Sequence, residues 1–258
     1  MAMKFLHFDE INSTNVYLYD KISEKNDISD TVVVASHQTA GRGMDKNKWE
    51  SEAGKNLLFS IALNVNFLEA SNQFKISQAV SVAIVETLSQ FIDNQKLFIK
   101  WPNDIYFGDK KLAGMLIQNT IEGRMMGISI IGIGLNVNQI EFSKNIPNPI
   151  SLKMISGKDY EKENLLNLLV STIKTRVEDL RFEEKKNEIN EKYISKAYRY
   201  RKWADYLYKN KVKSMIINGF DCYGRLILED QSGEKIVCDV KELQFFPPSC
   251  QPGSEADV

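Results

Sequence analysis

Short apolar runs separated by polar breaks organise the first 150 residues of the chain. TVVVAS, at 31–36, is β-branched and predicts a buried strand. KNLLFSIALNV predicts a second strand. From Gln73 to Ile92, apolar residues recur at Ile76, Val80, Ala83, Ile84, Leu88 and Phe91, which is one face of a long amphipathic helix. KLFIKW reads as a strand that stops at Pro102. DIYFGDKKLAGMLIQ reads as two strands joined by a tight turn at Gly108 and Asp109. RMMGISIIGIGLNVN is almost wholly apolar until Asn136, the pattern of a central strand. Near the start, Ser13 and Thr14 precede helically spaced Val16, Tyr17, Tyr19 and Ile22, so a helix capped near Ser13 is expected.

The pattern changes after PNPISL. Residues 161–197 read as helices rich in surface charge. Three short strand-like runs follow, VKSMIING, RLILED and KIVCDV, separated by the turn-like FDCYG and QSGE. That spacing predicts a small β barrel of about fifty residues. The Pro/Ser/Gly-rich end, PPSCQPGSEADV, predicts a disordered tail.

Composition narrows the partners. The 258 residues are enough for one large α/β domain and a small appendage. Lys and Arg number 33 and Asp and Glu 34, so the formal net charge of -1 offers no global attraction to nucleic acid. Anion recognition must therefore come from local clusters. Cys222, Cys238 and Cys250 form neither a metal-ligand pattern nor a disulfide framework, which favours a reducing cytoplasm. MAMKFLHFDE is not a signal peptide, and no segment approaches a membrane span.

Four clusters could carry chemistry. In TAGRGMDKNKW, Gly41 and Gly43 allow positive φ and close approach to a ligand. Arg42 between them is a planar donor suited to phosphate or carboxylate, Lys46 and Lys48 add positive potential, and Trp49 offers a flat apolar face. In KWPND, Asn103 and Asp104 can present hard oxygens to a phosphate-bound magnesium ion. In KKLAGMLIQ, Lys111 begins an otherwise apolar strand, with Gly114 three residues on. In GIGLNVN, Gly132 and Gly134 interrupt a β-branched strand, and Asn136 and Asn138 put amides at its end. Taken singly, the first three read more readily as a solvated turn, an Asn–Asp turn and a snorkelling lysine, and the fourth also reads as a strand end.

Their order is more specific. STN, TAGRG with its later Trp, KWPND, KLAG and GIGLN, in that sequence, resemble the catalytic domain of biotin–protein ligases. KWPND followed across a short hairpin by KLAGML is the most specific part. The C-terminal β segment resembles that family's SH3-like appendage, and the likeness runs from about Phe8 to Phe246. The resemblance implies an α+β (mixed α/β) fold. A catalytic domain at 1–200 would hold a mixed β-sheet flanked by helices, a small SH3-like β barrel would occupy 201–247, and a tail 248–258. It implies activation of biotin by ATP and magnesium to biotinyl-5′-AMP, with release of pyrophosphate. Biotin then passes to one lysine of a biotin carboxyl-carrier domain.

By motif position, the resemblance assigns Ser13, Thr14 and Gln38 to the ureido ring of biotin. Gly41, Arg42 and Gly43 wrap its carboxylate and the phosphate, with Gly114, Gly132 and Gly134 along its tail. Lys111 reaches both the carboxylate and the α-phosphate. Lys100, Asn103 and Asp104 serve ATP and magnesium, Trp49 packs near adenine, and Asn136 bonds its edge. Lys111, Arg42 and Asp104 are the expected catalytic set. No metal site built from protein alone is implied.

Two departures accompany the likeness. The family's fullest loop carries further glycine and arginine where this chain has Met44, Lys46 and Asn47, so Lys46 or Lys48 is expected to compensate for lost charge. Ser13 also lies too near the start for a preceding helix-turn-helix domain, so no sequence-specific DNA binding is expected. A homodimer is compatible with the resemblance. Lipoate–protein ligase and a non-catalytic biotin-binding module are the rival readings.

Overall fold

A computed structural model describes residues 3–24, 26–44 and 47–246. Nine elements build its larger part in chain order: β1 (Lys4–Ile11), α1 (Thr14–Ser23), β2 (Thr31–Gln38), β3 (Leu57–Asn64), α2 (Phe74–Leu88), β4 (Leu97–Lys100), β5 (Asp104–Phe107), β6 (Lys110–Glu122) and β7 (Met125–Leu135). Their strands form one sheet in the order β1-β2-β3-β7-β6-β5-β4. Only β1 and β2 pair in parallel, so the sheet is mixed. The most continuously apolar strand, β7, lies at its centre, since a strand covered on both faces has no position that favours a polar side chain.

Helices cover both faces. The predicted stripe of α2, Ile76, Val80, Ala83, Ile84 and Leu88, is wholly buried in the main core, with β4 and β5 beside the helix. Phe91 falls beyond the end of that helix and is 36% exposed. Two further helices, α4 (Lys162–Asp179) and α5 (Glu183–Ser195), pack beside α2, and the short α3 (Leu152–Ser156) precedes them. On the opposite face α1 seals a second core of Leu18, Ile28, Val33, Ala62 and Ile130. Val32 and Val33 therefore serve different faces, as alternation along a strand requires.

The orientation of α1 departs from the expected one. Its buried positions are Thr14, Asn15 and Leu18, whereas Tyr19 is half exposed. Two polar residues thus occupy the inward face of the first turn, which apolar periodicity alone cannot anticipate. Ser13 does hold the N-cap position, but its side chain makes no capping bond. β1 was not anticipated either, because an edge strand with alternate exposed residues carries a weak apolar signal.

At the C-terminal end a second, wholly antiparallel sheet has the order β11-β10-β9-β8-β12. Its strands are β8 (Trp203–Tyr208), β9 (Lys211–Phe220), β10 (Leu226–Asp230), β11 (Lys235–Cys238) and β12 (Leu243–Phe245). The three expected strand runs are β9, β10 and β11. β8 and the three-residue β12 are additional, and neither has a long apolar run of its own. Trp101, from the turn after β4, enters this sheet's core beside Tyr206 and Met215 and donates from Nε1 to the Gly224 carbonyl at 2.7 Å. The peptide bond between Trp101 and Pro102 is cis. Cys238 is buried in that core, and desolvation raises its thiol to about 12, while Cys222 is exposed. Cys250 and the expected tail at 248–258 lie outside the described residues. Among the described residues, no helix is long and apolar enough to cross a membrane.

Candidate active site

The glycine-rich segment after β2 folds back on itself as a small hairpin. Gly43 N donates to the Asn47 carbonyl at 2.8 Å, Arg42 bridges to Lys48, and Trp49 N donates to the Gly41 carbonyl at 3.0 Å. That return carries Trp49 inward while Arg42 and Lys48 remain exposed. Neither Gly41 nor Gly43 has positive φ, so the expected left-handed backbone is not what these glycines supply. What Gly41 supplies is room: a Cβ there would lie 2.5 Å from the Trp49 carbonyl oxygen.

Two other glycines serve the same tryptophan. A Cβ on Gly134 would fall inside the Trp49 indole, and one on Gly114 would stand 3.0 Å from it. Gly132 instead makes room for the Asn15 carboxamide. The glycines of β6 and β7 thus form a flat floor over which Trp49 and Asn15 lie. Any larger residue would displace one or the other.

Beneath Trp49 opens a cleft of about 370 Å³. Its deep end is polar and neutral. Gln38 Oε1 accepts from Thr14 N at 2.8 Å, and Thr14 Oγ1 meets Ser60 Oγ at 2.6 Å. Ser60 Oγ donates to Asn15 Oδ1 at 2.5 Å, and Asn15 Nδ2 donates to the Leu116 carbonyl at 3.1 Å. Since Ser60 spends its one proton on Asn15, the single Thr14 hydroxyl proton is shared between Ser60 Oγ and Gln38 Oε1, which lies 3.2 Å from Thr14 Oγ1. Ser13, Thr14, Asn15 and Ser60 are all at most 4% exposed. A buried hydroxyl left unpaired costs about 1–3 kcal/mol, so the network fixes Thr14, Asn15 and Ser60 in one orientation each.

At its other end the cleft meets a second cavity of about 430 Å³. Trp49, Lys100, Asp104 and Lys111 line both. The Lys111 ammonium lies 2.7 Å from Asp104 Oδ1 and 5.6 Å from the Trp49 ring centroid. The Trp49 Nε1 donor is buried and unsatisfied by the protein. Lys111 therefore points into the site rather than snorkelling out. Asp104 sits opposite Gly114 at the far end of the β5–β6 ladder from the turn at Gly108, whose φ is +57°, while Lys111 faces Tyr106 nearer that turn. The short hairpin is what brings the two charges together.

The remaining expected residues have mixed placements. Lys100 Nζ donates to the Tyr106 hydroxyl at 2.9 Å. Burial lowers the Lys100 ammonium below the usual lysine value, against the opposing pull of Asp104. Asn103 Nδ2 donates to the Met115 carbonyl at 2.6 Å, which ties the turn to β6. Asn136 Nδ2 donates to the Ile150 carbonyl at 3.0 Å, holding the segment before α3 against β7, and the residue lines the second cavity. Gly41 supports the loop from beneath. Lys46 lies outside the described residues. Of the two lysines expected to compensate for the altered loop, Lys48 lines both cavities.

Sequence reading missed Asn15, Ser60 and the contribution of Gln244 and Phe245 to the wall of the first cavity. A signal for Ser60 existed: it is the one hydroxyl in LLFSIALN, a strand otherwise buried and apolar up to its last residue. None existed for Phe245, which arrives from the second sheet.

Comparison with known proteins places this cleft in context. The model of the biotin/lipoate A/B protein ligase family matches residues 7–136, a stretch that holds every cleft residue from Ser13 to Lys111 and reaches Asn136. The bifunctional ligase/repressor BirA of Escherichia coli (strain K12) is 31% identical over 170 residues, 65% of this chain and 51% of that protein. The biotin–[acetyl-CoA-carboxylase] ligase of Mycobacterium tuberculosis (strain ATCC 25618 / H37Rv) is 26% identical over 170 residues, 65% of this chain and 62% of that protein. The chain spans about half the length of the first curated relatives it matches. Among solved structures, a biotin protein ligase from Aquifex aeolicus in complex with biotin and ATP superimposes with a TM-score of 0.74 at 26% identity, covering 93% of this chain and 97% of the other.

Proposed function

Because the chain belongs to the biotin/lipoate A/B protein ligase family, we propose that its cleft joins biotin to ATP as biotinyl-5′-AMP and then passes biotin to a lysine of a carboxyl-carrier domain. The observation that carries this reading is the Lys111 ammonium at the boundary of the two cavities, 2.7 Å from Asp104. One cavity offers neutral hydrogen-bonding groups fit for a ureido ring. The other opens beside Asp104 and Asn136. A cation at their meeting point stands where two anions must react.

The chemistry needs that cation. A carboxylate does not acylate an amine until its oxygen is made a leaving group. In the first step a biotin carboxylate oxygen attacks the α-phosphorus, the P–O bond to the β-phosphate breaks, and pyrophosphate leaves. Negative charge builds on the α-phosphate oxygens, and Lys111, with Arg42 in the wall of the same cleft, neutralises that charge. In the second step the neutral amine of the acceptor lysine attacks the acyl carbon, the C–O bond to AMP breaks with its electron pair leaving on AMP, the nitrogen gives up one proton to solvent, and an amide forms. No side chain becomes covalently attached. The deep-end network holds the ring while Trp49 closes the cleft, so the catalytic gain is positioning plus charge neutralisation.

Magnesium fits this donor set only as an ion carried by the nucleotide. Among the described residues, no three His, Cys, Asp or Glu side chains converge. Asp104 offers one carboxylate, and Asn103 is committed through its Nδ2 to Met115, a set that suits a phosphate-borne ion needing one or two protein carboxylates. Such an ion would supply charge neutralisation on the phosphates. The carrier domain as acceptor follows from the M. tuberculosis relative, which is a biotin–[acetyl-CoA-carboxylase] ligase.

Pyrophosphate release tests the reading, with biotin, lipoate or no acid, in wild type and Lys111→Ala. Release with biotin alone, lost in the variant, is expected. Release with lipoate alone would transfer the protein to the other branch of the family.

A further inference from the structure

The second sheet closes on Lys100 with an aromatic ring, and this contact has no part in the activation chemistry described above. The Lys100 ammonium lies 4.7 Å from the Tyr106 ring centroid and 5.2 Å from that of Phe245. Tyr106 comes from β5 and Phe245 from β12, more than a hundred residues later. Lys100 lines both cavities, with Phe245 in the wall of the first and Tyr106 in the wall of the second. Further rings hold the pair in place. Tyr106 packs on Tyr198 at 5.5 Å, and Phe245 meets Tyr206 edge-on at 5.2 Å. The Tyr198 hydroxyl bonds Asp109 Oδ1, and Arg199 Nη2 donates to the Phe246 carbonyl at 2.9 Å. Phe245 is thus clamped from its own sheet and from the segment that joins the two sheets.

A lysine has four rotatable bonds and about 2 kcal/mol of rotamer entropy to lose on ordering. Here the Tyr106 hydroxyl and the Phe245 ring confine it before any ligand arrives. A cation over an aromatic face is held by about 0.5–2 kcal/mol, more when desolvated, and this one is half-buried. The rings leave the charge in place while removing its freedom.

We infer that Phe245 and Tyr106 are positioning residues that hold the Lys100 ammonium for the phosphate chain of ATP, so that the second sheet completes the nucleotide site of the first. The inference rests on the ligase reading. It assigns a task to β12, the shortest strand in the molecule, and explains why a strand of three residues ends a sheet directly beside the cleft.

The test is steady-state pyrophosphate release with full-length Phe245→Leu, Phe245→Tyr, Tyr106→Phe, Lys100→Ala and the double variant Lys100→Ala/Phe245→Leu, with melting temperature measured for each. Phe245→Leu keeps apolar volume and removes the ring. It is expected to raise KM for ATP about three- to thirty-fold with a smaller change in kcat. Phe245→Tyr restores the wild-type KM. Tyr106→Phe removes only the hydroxyl and raises KM about ten-fold. In the Lys100→Ala background, Phe245→Leu has no further effect on KM, because its action passes through the lysine. Multiplying effects of Lys100→Ala and Phe245→Leu would overturn the inference, as would an unchanged KM in Phe245→Leu. Wild-type protein that releases no pyrophosphate overturns the ligase reading and this inference together. Wild-type release with an unaltered KM in Phe245→Leu overturns this inference alone.

Discussion

The two ends of the cleft are built on opposite principles. The deep end, around Thr14, Asn15, Gln38 and Ser60, contains no formal charge, and neutral side chains bond there to one another and to the backbone. The junction end, around Lys100, Asp104 and Lys111, is charged, partly exposed and lined with rings. Neutral recognition needs directional groups held in one orientation, and burial supplies that. Charge neutralisation needs a full charge that can still reach a ligand, and complete burial would discharge it. The difference shows why one cavity could not do both jobs.

The comparison can be broken most severely at Lys111. Lys111→Ala is expected to reduce the rate of pyrophosphate release by about 10²–10³ while biotin still binds, because the loss falls on charge that develops during reaction. A stopped-flow or coupled assay beside calorimetric titration with biotin separates the two. Loss of biotin binding alongside the rate would merge the two ends.

Gly132→Ala attacks the deep end instead. The new methyl group cannot coexist with the Asn15 carboxamide, so the network must shift. Overpacking of this kind costs about 1–3 kcal/mol, and the variant should melt lower and bind biotin at least ten-fold more weakly. Normal biotin affinity would show that Asn15 has no part in recognition. Ser60→Ala is milder. It leaves Asn15 Oδ1 without its donor at a cost of about 1 kcal/mol, with biotin affinity reduced several-fold and KM for ATP unchanged.

The smallest effect concerns pH. Ser, Thr, Asn and Gln do not titrate in the working range, so the deep end adds no pH dependence to stability. Lys100 does titrate, and desolvation sets its folded value below 10.5. Below the folded value both states hold the proton and the burial penalty is fully present. Between the folded value and 10.5 the unfolded chain binds more protons, so stability rises with pH across that window. Lys100→Met should melt higher at neutral pH and should lose the alkaline rise seen in wild type. Identical pH dependence in the two proteins would remove the lysine from the account.

Much of the architecture was legible in the chain. The stripe of α2, the central β7 and the β5–β6 turn at Gly108 follow from periodicity and a glycine, because each depends on neighbours within a few residues. The cleft was legible as a set of clusters in order, and Lys111 and Asp104 were brought together by a hairpin short enough to read. β1, β8 and β12 were not legible, since edge and very short strands gain their conformation from partners rather than from their own apolar pattern. The inward face of α1 was misread for a related reason: Thr14 and Asn15 are buried by a polar network whose other half lies on β2 and β3.

By itself, then, the sequence determined the buried strands and the long helix between them, and which residues carry charge near a glycine-rich turn. Only the tertiary structure decided what the glycines are for. Gly41, Gly114 and Gly134 come from three segments, yet all clear space for the one indole of Trp49, and Gly132 does so for Asn15. It also decided that a ring from β12 confines a lysine from β4. Local propensity acts through adjacent peptide units, whereas these contacts form when chain closure brings distant surfaces to van der Waals distance, and a requirement set by a distant partner leaves no periodic trace in the chain.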